Sequence, residues 1–201
     1  MKKRLCSVKR ETKETNIYLK LNIDGRGRAK ISTGIEILNH LLELFCFHGF
    51  FDLELLAKGK DLHHLNEDIG IVIGEAFKKA LADKKGIRRF GFFSVPMDEN
   101  VSEVIVDIGG RSYFKLVYEN KDLLSIKNKS GYSFKEIEHL LDSFCRHLGA
   151  NLYIKIAGSL KSDFHSLVEP IFKALGIALD QATQIDKRRA SNIPSSKGVI
   201  D

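Results

Sequence analysis

The sequence predicts an α+β fold built from two similar halves, each with the element order β-β-β-α-β-α. Two pairs of related segments carry this prediction. HLLELFCFH at 40–48 recurs as HLLDSFCRH at 139–147, and HHLNE at 63–67 recurs as HSLVE at 165–169. The same order of strand-like and helix-like patterns surrounds each copy. Repetition of both motifs and element order is typical of an internally duplicated fold.

The first half alternates between polar and apolar residues before its first helix, a pattern that predicts strands. A helical stripe that includes Ile37, Leu38 and Leu41 predicts the first helix. A second stripe, with Ile69, Val72 and Ile73, predicts another. The predicted strands cover residues 4–11, 16–24, 28–32 and 51–59, and the predicted helices cover 35–48 and 64–82.

The second half repeats this order. Ser133 is the predicted N-cap and Gly149 the predicted stop of its first helix. The predicted strands cover 90–98, 101–109, 112–119 and 151–158, and the predicted helices cover 133–149 and 165–183. We therefore expect each half to be a mainly antiparallel sheet covered on one face by two helices. The expected units are residues 1–87, residues 88–185 and a substrate-binding tail over 186–201.

Composition excludes several classes of protein. The chain has 201 residues, 43% of them hydrophobic, which is enough for a full core. No apolar run approaches the roughly 20 residues that a membrane span needs. The N-terminus is basic but lacks the apolar segment of a signal peptide. Three cysteines without a CxxC pair argue against a disulfide scaffold or a thiolate zinc site. We expect a cytoplasmic protein without a membrane partner.

The net charge of +6 does not by itself indicate nucleic acid. Lysines and arginines are spread along the chain and cluster only at 84–89 and 186–189. No basic segment is interleaved with aromatic residues of the kind that stack on bases. A solvated basic surface is the favoured interpretation. A small anionic ligand such as a phosphate ester comes next, and nucleic acid third.

The histidines form the most informative pattern. His63 precedes Glu67 by four residues, and His165 precedes Glu169 by four, so each pair can share one helix face. A single histidine on an amphipathic helix is more often a surface or satisfied core residue, but the duplication favours metal binding. Imidazole and carboxylate donors without thiolate suit Mn(II), Fe(II) or Zn(II). Two sites, or one site built from both halves, satisfy the pattern.

Other repeated residues have simpler interpretations. Cys46 and Cys145 are interpreted as small buried hydrophobes. His48 and His147 each lie eight residues beyond the first histidine of their motif. They either approach the site or cap the helix end, and for His147 the cap is favoured.

The chain resembles the imidazoleglycerol-phosphate dehydratase family over essentially its whole length. The matching segments include VKRETKET (8–15), HHLNEDIGIVIGEAFKKAL (63–81), GGRSYF (109–114), HSLVEPIFKAL (165–175) and IDKRRASNIPSSKGV (185–199). The resemblance implies a homo-oligomer of twenty-four chains and two manganese ions per active site, held at subunit interfaces. The implied metal ligands are His40, His63, His64, Glu67, His139, His165 and Glu169.

The same resemblance implies dehydration of imidazoleglycerol phosphate to imidazoleacetol phosphate in histidine biosynthesis. The reaction must break a C–O bond beside the imidazole ring and remove a hydrogen that is not acidic. Metal ions on the ring nitrogens would make the ring an electron source. The implied substrate-binding residues are Glu14, His48, Arg89, Arg111, Lys173, Ser195 and Lys197. Glu14, which would face the glycerol portion, is the candidate for proton transfer.

The sequence departs from the family pattern near the implied metal site. Ser166 stands where the second His-His pair would have its second imidazole, and Asn39 stands where an aspartate usually precedes His40. Asp61-Leu62 replaces a longer acidic loop, Tyr153 takes a position that is often histidine, and residues 123–134 form a longer segment than usual. One hypothesis is a working dehydratase. Its alternatives are a metal-depleted, non-catalytic relative that keeps the scaffold and, more weakly, a hydrolase of another phosphate ester.

Overall fold

The computed structural model describes residues 4–189 and 192–200 and shows two four-stranded sheets with four α-helices. Residues 1–3 of the first expected unit, and 190, 191 and 201 of the expected tail, lie outside the described residues. The first half contains β1 (Leu5–Glu11), β2 (Thr15–Asn22), β3 (Ala29–Ser32), α1 (Glu36–Gly49), β4 (Asp52–Gly59) and α2 (Leu62–Leu81). The second half contains β5 (Phe90–Met97), β6 (Asn100–Asp107), β7 (Tyr113–Tyr118), α3 (Phe134–Leu148), β8 (Asn151–Ala157) and α4 (Phe164–Thr183).

The predicted α+β fold of duplicated halves is confirmed, with element ends shifted by about two residues at most. The strand orders are β1-β2-β4-β3 and β5-β6-β8-β7, so the two sheets have the same topology. Only the pairs β3–β4 and β7–β8 are parallel. Two 3₁₀ helices were not predicted, Lys121–Ser125 and Lys187–Arg189. The second lies in the tail, where no periodicity was seen.

Local sequence accounts for the start and end of α3. Ser133 is its N-cap, and the Ser133 backbone N–H donates to the Glu136 carboxylate at 2.9 Å. The Ser133 side chain in turn accepts from the backbone N–H of Glu136. This capping box satisfies donors at the helix start that would otherwise lack partners. Gly149 ends the helix with a positive φ of 74°, a conformation that glycine adopts without steric cost. The predicted cap and stop are therefore present.

The helices lie between the two sheets. Helix α2 packs on β1, β2 and β4, and α4 packs on β5, β6 and β8. Across the middle of the molecule, α1 packs against α4 and α2 against α3, so the main helix–helix contacts of this layer join the two halves. The resulting core is continuous, and it includes Cys46 and Cys145, which are both fully buried as predicted.

Glycines allow these helices to approach closely. A Cβ on Gly74 of α2 would lie 2.5 Å from the carbonyl oxygen of Phe144 on α3. A Cβ on Gly176 of α4 would lie 2.5 Å from the carbonyl oxygen of Phe45 on α1. These glycines occupy equivalent positions in the two halves, as do the two phenylalanines. At these equivalent points the backbones of α2 and α3, and of α4 and α1, come into close contact.

Replacing Gly176 by alanine is expected to destabilise the fold. Forcing a methyl group against the backbone of α1 costs roughly 1–3 kcal/mol, whereas the gain in helix propensity is about 1 kcal/mol at most. Chemical denaturation should therefore show a lower midpoint. Lys78→Ala, at an exposed position of α2, is the control and should change stability by no more than about 0.5 kcal/mol. An unchanged midpoint for Gly176→Ala would show that the helices can move apart freely.

The outer faces of both sheets carry exposed side chains, some apolar and some charged. On the second sheet, Phe92, Ile105 and Tyr153 lie side by side on β5, β6 and β8, and each is exposed. On the first sheet, Lys30 and Glu54 occupy the outer face and form an ion pair at 3.4 Å. The second sheet therefore presents an apolar row to its surroundings.

Among the described residues, no helix combines the length and apolarity needed to cross a membrane.

Candidate metal centres and substrate site

The pairing of α1 with α4 brings three predicted ligands together. Nε2 of His40 lies 2.7 Å from Oε1 of Glu169, and Nε2 of His165 lies 2.5 Å from the same oxygen. The two imidazole rings stack at 5.2 Å between centroids with an interplanar angle of 11°. Among the described residues, this is the one group in which three such ligand atoms lie within 4.8 Å of one another. We call it the α1/α4 cluster.

Glu169 is the buried member of the α1/α4 cluster, since its side chain is 7% exposed. Its second oxygen, Oε2, lies 2.6 Å from Nζ of Lys173. Burial acts to raise the pKa of Glu169, but hydrogen bonds from His40 and Lys173 outweigh it and hold that pKa below its usual range. The carboxylate is thereby kept ionised, which is the state that binds a cation.

His48 belongs to the same region. It lies two turns after His40 on α1 and is partly buried. Burial, followed by the positive charge of Lys173, lowers the pKa of His48. The charges of Lys173 and Glu169 therefore both act on the His48 ring. A neutral imidazole next to an ammonium group offers two hydrogen-bonding partners for an anionic substrate group.

The pairing of α2 with α3 produces a related group, which we call the α2/α3 cluster. Nδ1 of His139 lies 3.1 Å from Nδ1 of His63, and Nε2 of His63 lies 3.9 Å from Oε2 of Glu67. His63 and Glu67 are about half exposed, in contrast to buried Glu169. Each cluster takes residues from both halves. The sequence had left open whether there are two metal sites or one site built from both halves. The structure shows two clusters, and each contains residues of both halves.

His64 takes a different direction from His63 and Glu67. Its Nδ1 lies 2.7 Å from Oδ2 of Asp61, and its Nε2 lies 3.7 Å from Oε2 of Glu14. The hydrogen bond with Asp61 is the main reason that the pKa of His64 is raised. Asp61 also caps α2, because it accepts a hydrogen bond from the His64 backbone N–H at 3.0 Å. His64 precedes Glu67 by three residues on the same helix, a spacing that allows the two side chains to converge, but its ring faces Glu14 instead.

Ser166 is the counterpart of His64 in the second half. Asp163 accepts a hydrogen bond from the Ser166 backbone N–H at 2.8 Å, as Asp61 does from His64. The two helix starts are therefore built alike, and only the side chain differs. An imidazole at one position and a hydroxymethyl group at the other make the two halves chemically unequal.

Asn39 has a structural contact of its own. Its Oδ1 accepts hydrogen bonds from the Thr33 backbone N–H at 3.0 Å and from the Thr33 hydroxyl at 2.7 Å. Asn39 thus fixes the connection between β3 and α1. The ring of His40 is oriented by Glu169, so an aspartate before His40 is not required for that purpose.

The expected phosphate-binding residues lie in different environments. Arg89 pairs with Asp107 at 2.6 and 3.0 Å, and its Nη1 donates to the carbonyl oxygen of Pro194 at 3.1 Å. Three of its five N–H groups are therefore occupied, and the guanidinium attaches the tail to the body of the fold. Arg111 and Lys197 are exposed. Ser195, directly after the anchored Pro194, accepts a hydrogen bond from the Lys197 backbone N–H at 3.3 Å.

A cleft of about 620 Å³ opens beside the α1/α4 cluster. His40 and His165 line it together with Leu62 and with Asn128, Ser130 and Tyr132 of the long segment before α3. The cleft therefore connects a candidate metal centre to open space of a size suited to a small ligand. His147 lies elsewhere and contacts the Ser143 carbonyl oxygen of its own helix at 2.8 Å, in keeping with the helix-end interpretation.

The fold and these groups define a class of protein: a duplicated α+β protein with two imidazole–carboxylate clusters shared between its halves. Comparison with known proteins specifies the class further. The family model described as imidazoleglycerol-phosphate dehydratase matches residues 33–179. A protein of that name from Thermoanaerobacter sp. is 46% identical over 98% of this chain and 100% of its own. A chloroplastic one from Triticum aestivum is 43% identical over 98% of this chain and 72% of its own.

Two solved structures of imidazoleglycerol-phosphate dehydratases have the same fold as this chain. The enzyme of that name from Staphylococcus aureus superposes with a TM-score of 0.78 at 31% identity, covering 90% of this chain and 99% of the other. The Pyrococcus furiosus structure gives a TM-score of 0.80 at 31% identity, covering 96% and 99%. The chain belongs to the imidazoleglycerol-phosphate dehydratase family, and its enzyme class is that of the hydro-lyases. The resemblance seen in the sequence motifs is confirmed.

Proposed function

We propose that this chain dehydrates imidazoleglycerol phosphate to imidazoleacetol phosphate in histidine biosynthesis, in a reaction that depends on two Mn²⁺ ions per active site. The observation that carries the proposal is the pair of imidazole–carboxylate clusters, each assembled from both halves. Identity of 46% over nearly the whole chain supports a working enzyme, so a non-catalytic relative is not favoured. We place the reaction in the cytoplasm, with no nucleic acid or membrane as partner.

The side chains fit a divalent cation. His40, His165 and Glu169 supply two imidazoles and one carboxylate within bonding reach of a common point. Their donor set contains nitrogen and oxygen but no thiolate, which suits Mn²⁺. His63, His139 and Glu67, with His64 nearby, would hold the second ion. Bound ions would supply Lewis acidity at the nitrogens of the substrate ring.

The residues of the chain would divide the remaining work. Glu14 lies beside His64 at the start of α2, where a carboxylate can take or return a proton. Lys173 and His48 offer a cation and an imidazole beside the α1/α4 cluster for the phosphate group. Arg89 holds the tail that carries Ser195 and Lys197, and Arg111 adds a further exposed cation.

We propose in addition that twenty-four copies assemble and that neighbouring copies share the active site. Two features support assembly. The α2/α3 cluster is open to solvent, so further ligands must come from water, substrate or another chain. The apolar row of Phe92, Ile105 and Tyr153 is a surface that association would cover. Light scattering gives the test, because a monodisperse monomer at working concentration would contradict assembly.

The function is tested with the full chain freed of metal by chelation and then reloaded with Mn²⁺. We expect imidazoleglycerol phosphate to lose one water, detected by mass spectrometry of the product, only after reloading. Turnover by protein shown to be metal-free would contradict the metal dependence. Release of inorganic phosphate instead of dehydrated product would favour a phosphate-ester hydrolase.

Replacing Ser166 by histidine is expected to tighten the binding of one of the two Mn²⁺ ions by at least about tenfold, because it restores an imidazole at the position equivalent to His64. Calorimetric titration of the metal-free chain measures the affinity directly. Ser166→Ala is the matched control and should bind Mn²⁺ as the unmodified chain does. Equal affinities for the histidine and alanine variants would show that this position lies out of reach of the ion.

A further inference from the structure

A buried carboxylate links the helix that carries His64 to the turn that carries Glu14. Asp68 lies one helical turn after His64 on α2 and is 8% exposed. Its Oδ2 accepts a hydrogen bond from the Thr15 hydroxyl at 2.5 Å, and its Oδ1 accepts one from Nε of Arg10 at 2.8 Å. Thr15 is itself only 3% exposed. Hydrogen bonds to an ionised group are about twice as strong as neutral ones.

The link continues from Thr15 to the backbone of Glu14. The hydroxyl oxygens of Thr15 and Thr12 lie 3.1 Å apart. Oγ1 of Thr12 accepts hydrogen bonds from the backbone N–H groups of Glu14 at 3.1 Å and Thr15 at 2.9 Å. On its other side, the Glu14 carbonyl oxygen accepts from the Lys60 backbone N–H at 3.0 Å. The backbone of Glu14 is therefore held on both sides.

The second half makes the same connection with different groups. Asn100 is the first residue of β6, as Thr15 is the first residue of β2, and it is also 3% exposed. Pro170 takes the position equivalent to Asp68 and has no N–H for the Ser166 carbonyl oxygen. That oxygen accepts from Nδ2 of Asn100 at 3.3 Å. In both halves, a buried polar side chain that follows the hairpin turn is hydrogen-bonded to a helix that carries a predicted metal-ligating histidine.

We propose that Asp68 is a positioning residue that acts through Thr15 to keep the Glu14 carboxylate beside His64. The inference rests on the proposed role of Glu14 in proton transfer. Without the hydrogen bond between Thr15 and Asp68, the turn between β1 and β2 can shift relative to α2. A misplacement of about 1 Å at a reacting group can lower a rate by roughly 100-fold.

Thr15→Val removes the hydroxyl while keeping the shape of the side chain. We expect kcat to fall roughly 10–100-fold, while KM and the Mn²⁺ bound per chain stay close to those of the unmodified enzyme. Thr15→Ser keeps the hydroxyl and should retain most of the activity. Thr183→Val is the matched control, because Thr183 is 1% exposed and its hydroxyl donates to its own helix, to the Asp180 carbonyl oxygen at 3.1 Å.

A double-mutant cycle with Glu14→Gln separates positioning from general stability. If Thr15 acts through Glu14, Thr15→Val should lower kcat by less than about twofold in the Glu14→Gln background. An equal factor in both backgrounds, or loss of bound Mn²⁺ in parallel with kcat, would overturn the inference. A fully active Glu14→Gln enzyme would instead overturn the proposed role of Glu14. If Thr15→Val does not fold, Asp68→Asn enters the same cycle with the same criteria.

Discussion

Replacing Glu169 by glutamine is expected to remove about one Mn²⁺ ion per chain and to lower kcat at least about 100-fold. Glu169 is the only carboxylate of the α1/α4 cluster among the described residues, and both His40 and His165 contact its Oε1. Glutamine keeps the shape but has no negative charge. Lys173, which lies 2.6 Å from Oε2, would then face the cluster as an unpaired cation and oppose metal binding further.

Metal analysis after gel filtration, combined with steady-state kinetics, measures both expected effects of Glu169→Gln. Glu43→Gln is a suitable control, because Glu43 is exposed on α1, the helix that also carries His40. It removes the same charge at a position outside the cluster and should change neither quantity. A Glu169→Gln enzyme that kept its full metal content would show that the α1/α4 cluster does not bind the ion.

The elements of this fold follow from local sequence because each carries a clear period or cap. Strand alternation in β2 buries Ile17, Leu19 and Leu21 on one face, and the Ser133–Glu136 pair marks the start of α3. The pairing of helices between halves was not predictable in the same way. It depends on where two distant backbones can touch, and Gly74 and Gly176 are two of the points where they do. Periodicity therefore gave the helices but not the two shared clusters.

The candidate site was likewise predictable from the sequence only in part. Spacing placed Glu169 on one helix face with His165, and both are found together. Spacing does not determine a side-chain rotamer, so the contacts of His64 with Asp61 and Glu14 could not be predicted from the sequence. The partner of Arg89 was also missed, because Asp107 is brought beside it by the pairing of β5 with β6.

Asp68 was overlooked although the sequence held a signal for it. It stands between Glu67 and Ile69, close to the apolar stripe of α2. A carboxylate near the buried face of a helix must find hydrogen-bond donors, since an unpaired buried charge is costly. Identifying Arg10 and Thr15 as those donors required the pairing of β1 and β2 and their packing on α2.

Replacing Glu14 by glutamine is expected to lower kcat by roughly 100- to 10,000-fold, because the amide cannot accept the proton that a general base removes. KM and bound Mn²⁺ should change little, since glutamine fills the same space and the backbone contacts of the turn to Thr12 and Lys60 remain. This split distinguishes Glu14 from Glu169, whose loss should reduce metal content and turnover together. Steady-state kinetics at saturating Mn²⁺ provides the measurement.

Glu11→Gln is the control for the Glu14 prediction. Glu11 lies near the same turn, at the end of β1, and its side chain is exposed and paired with Lys9 at 2.9 Å. It should leave kcat unchanged because its loss removes only an exposed ion pair of little energetic value. A Glu14→Gln enzyme within about threefold of full activity would exclude Glu14 as the base, since general-base catalysis contributes far more than that factor. The proton would then have to be taken by another group near His64, and Asp61, which lies 2.7 Å from Nδ1 of His64, would be the next to replace.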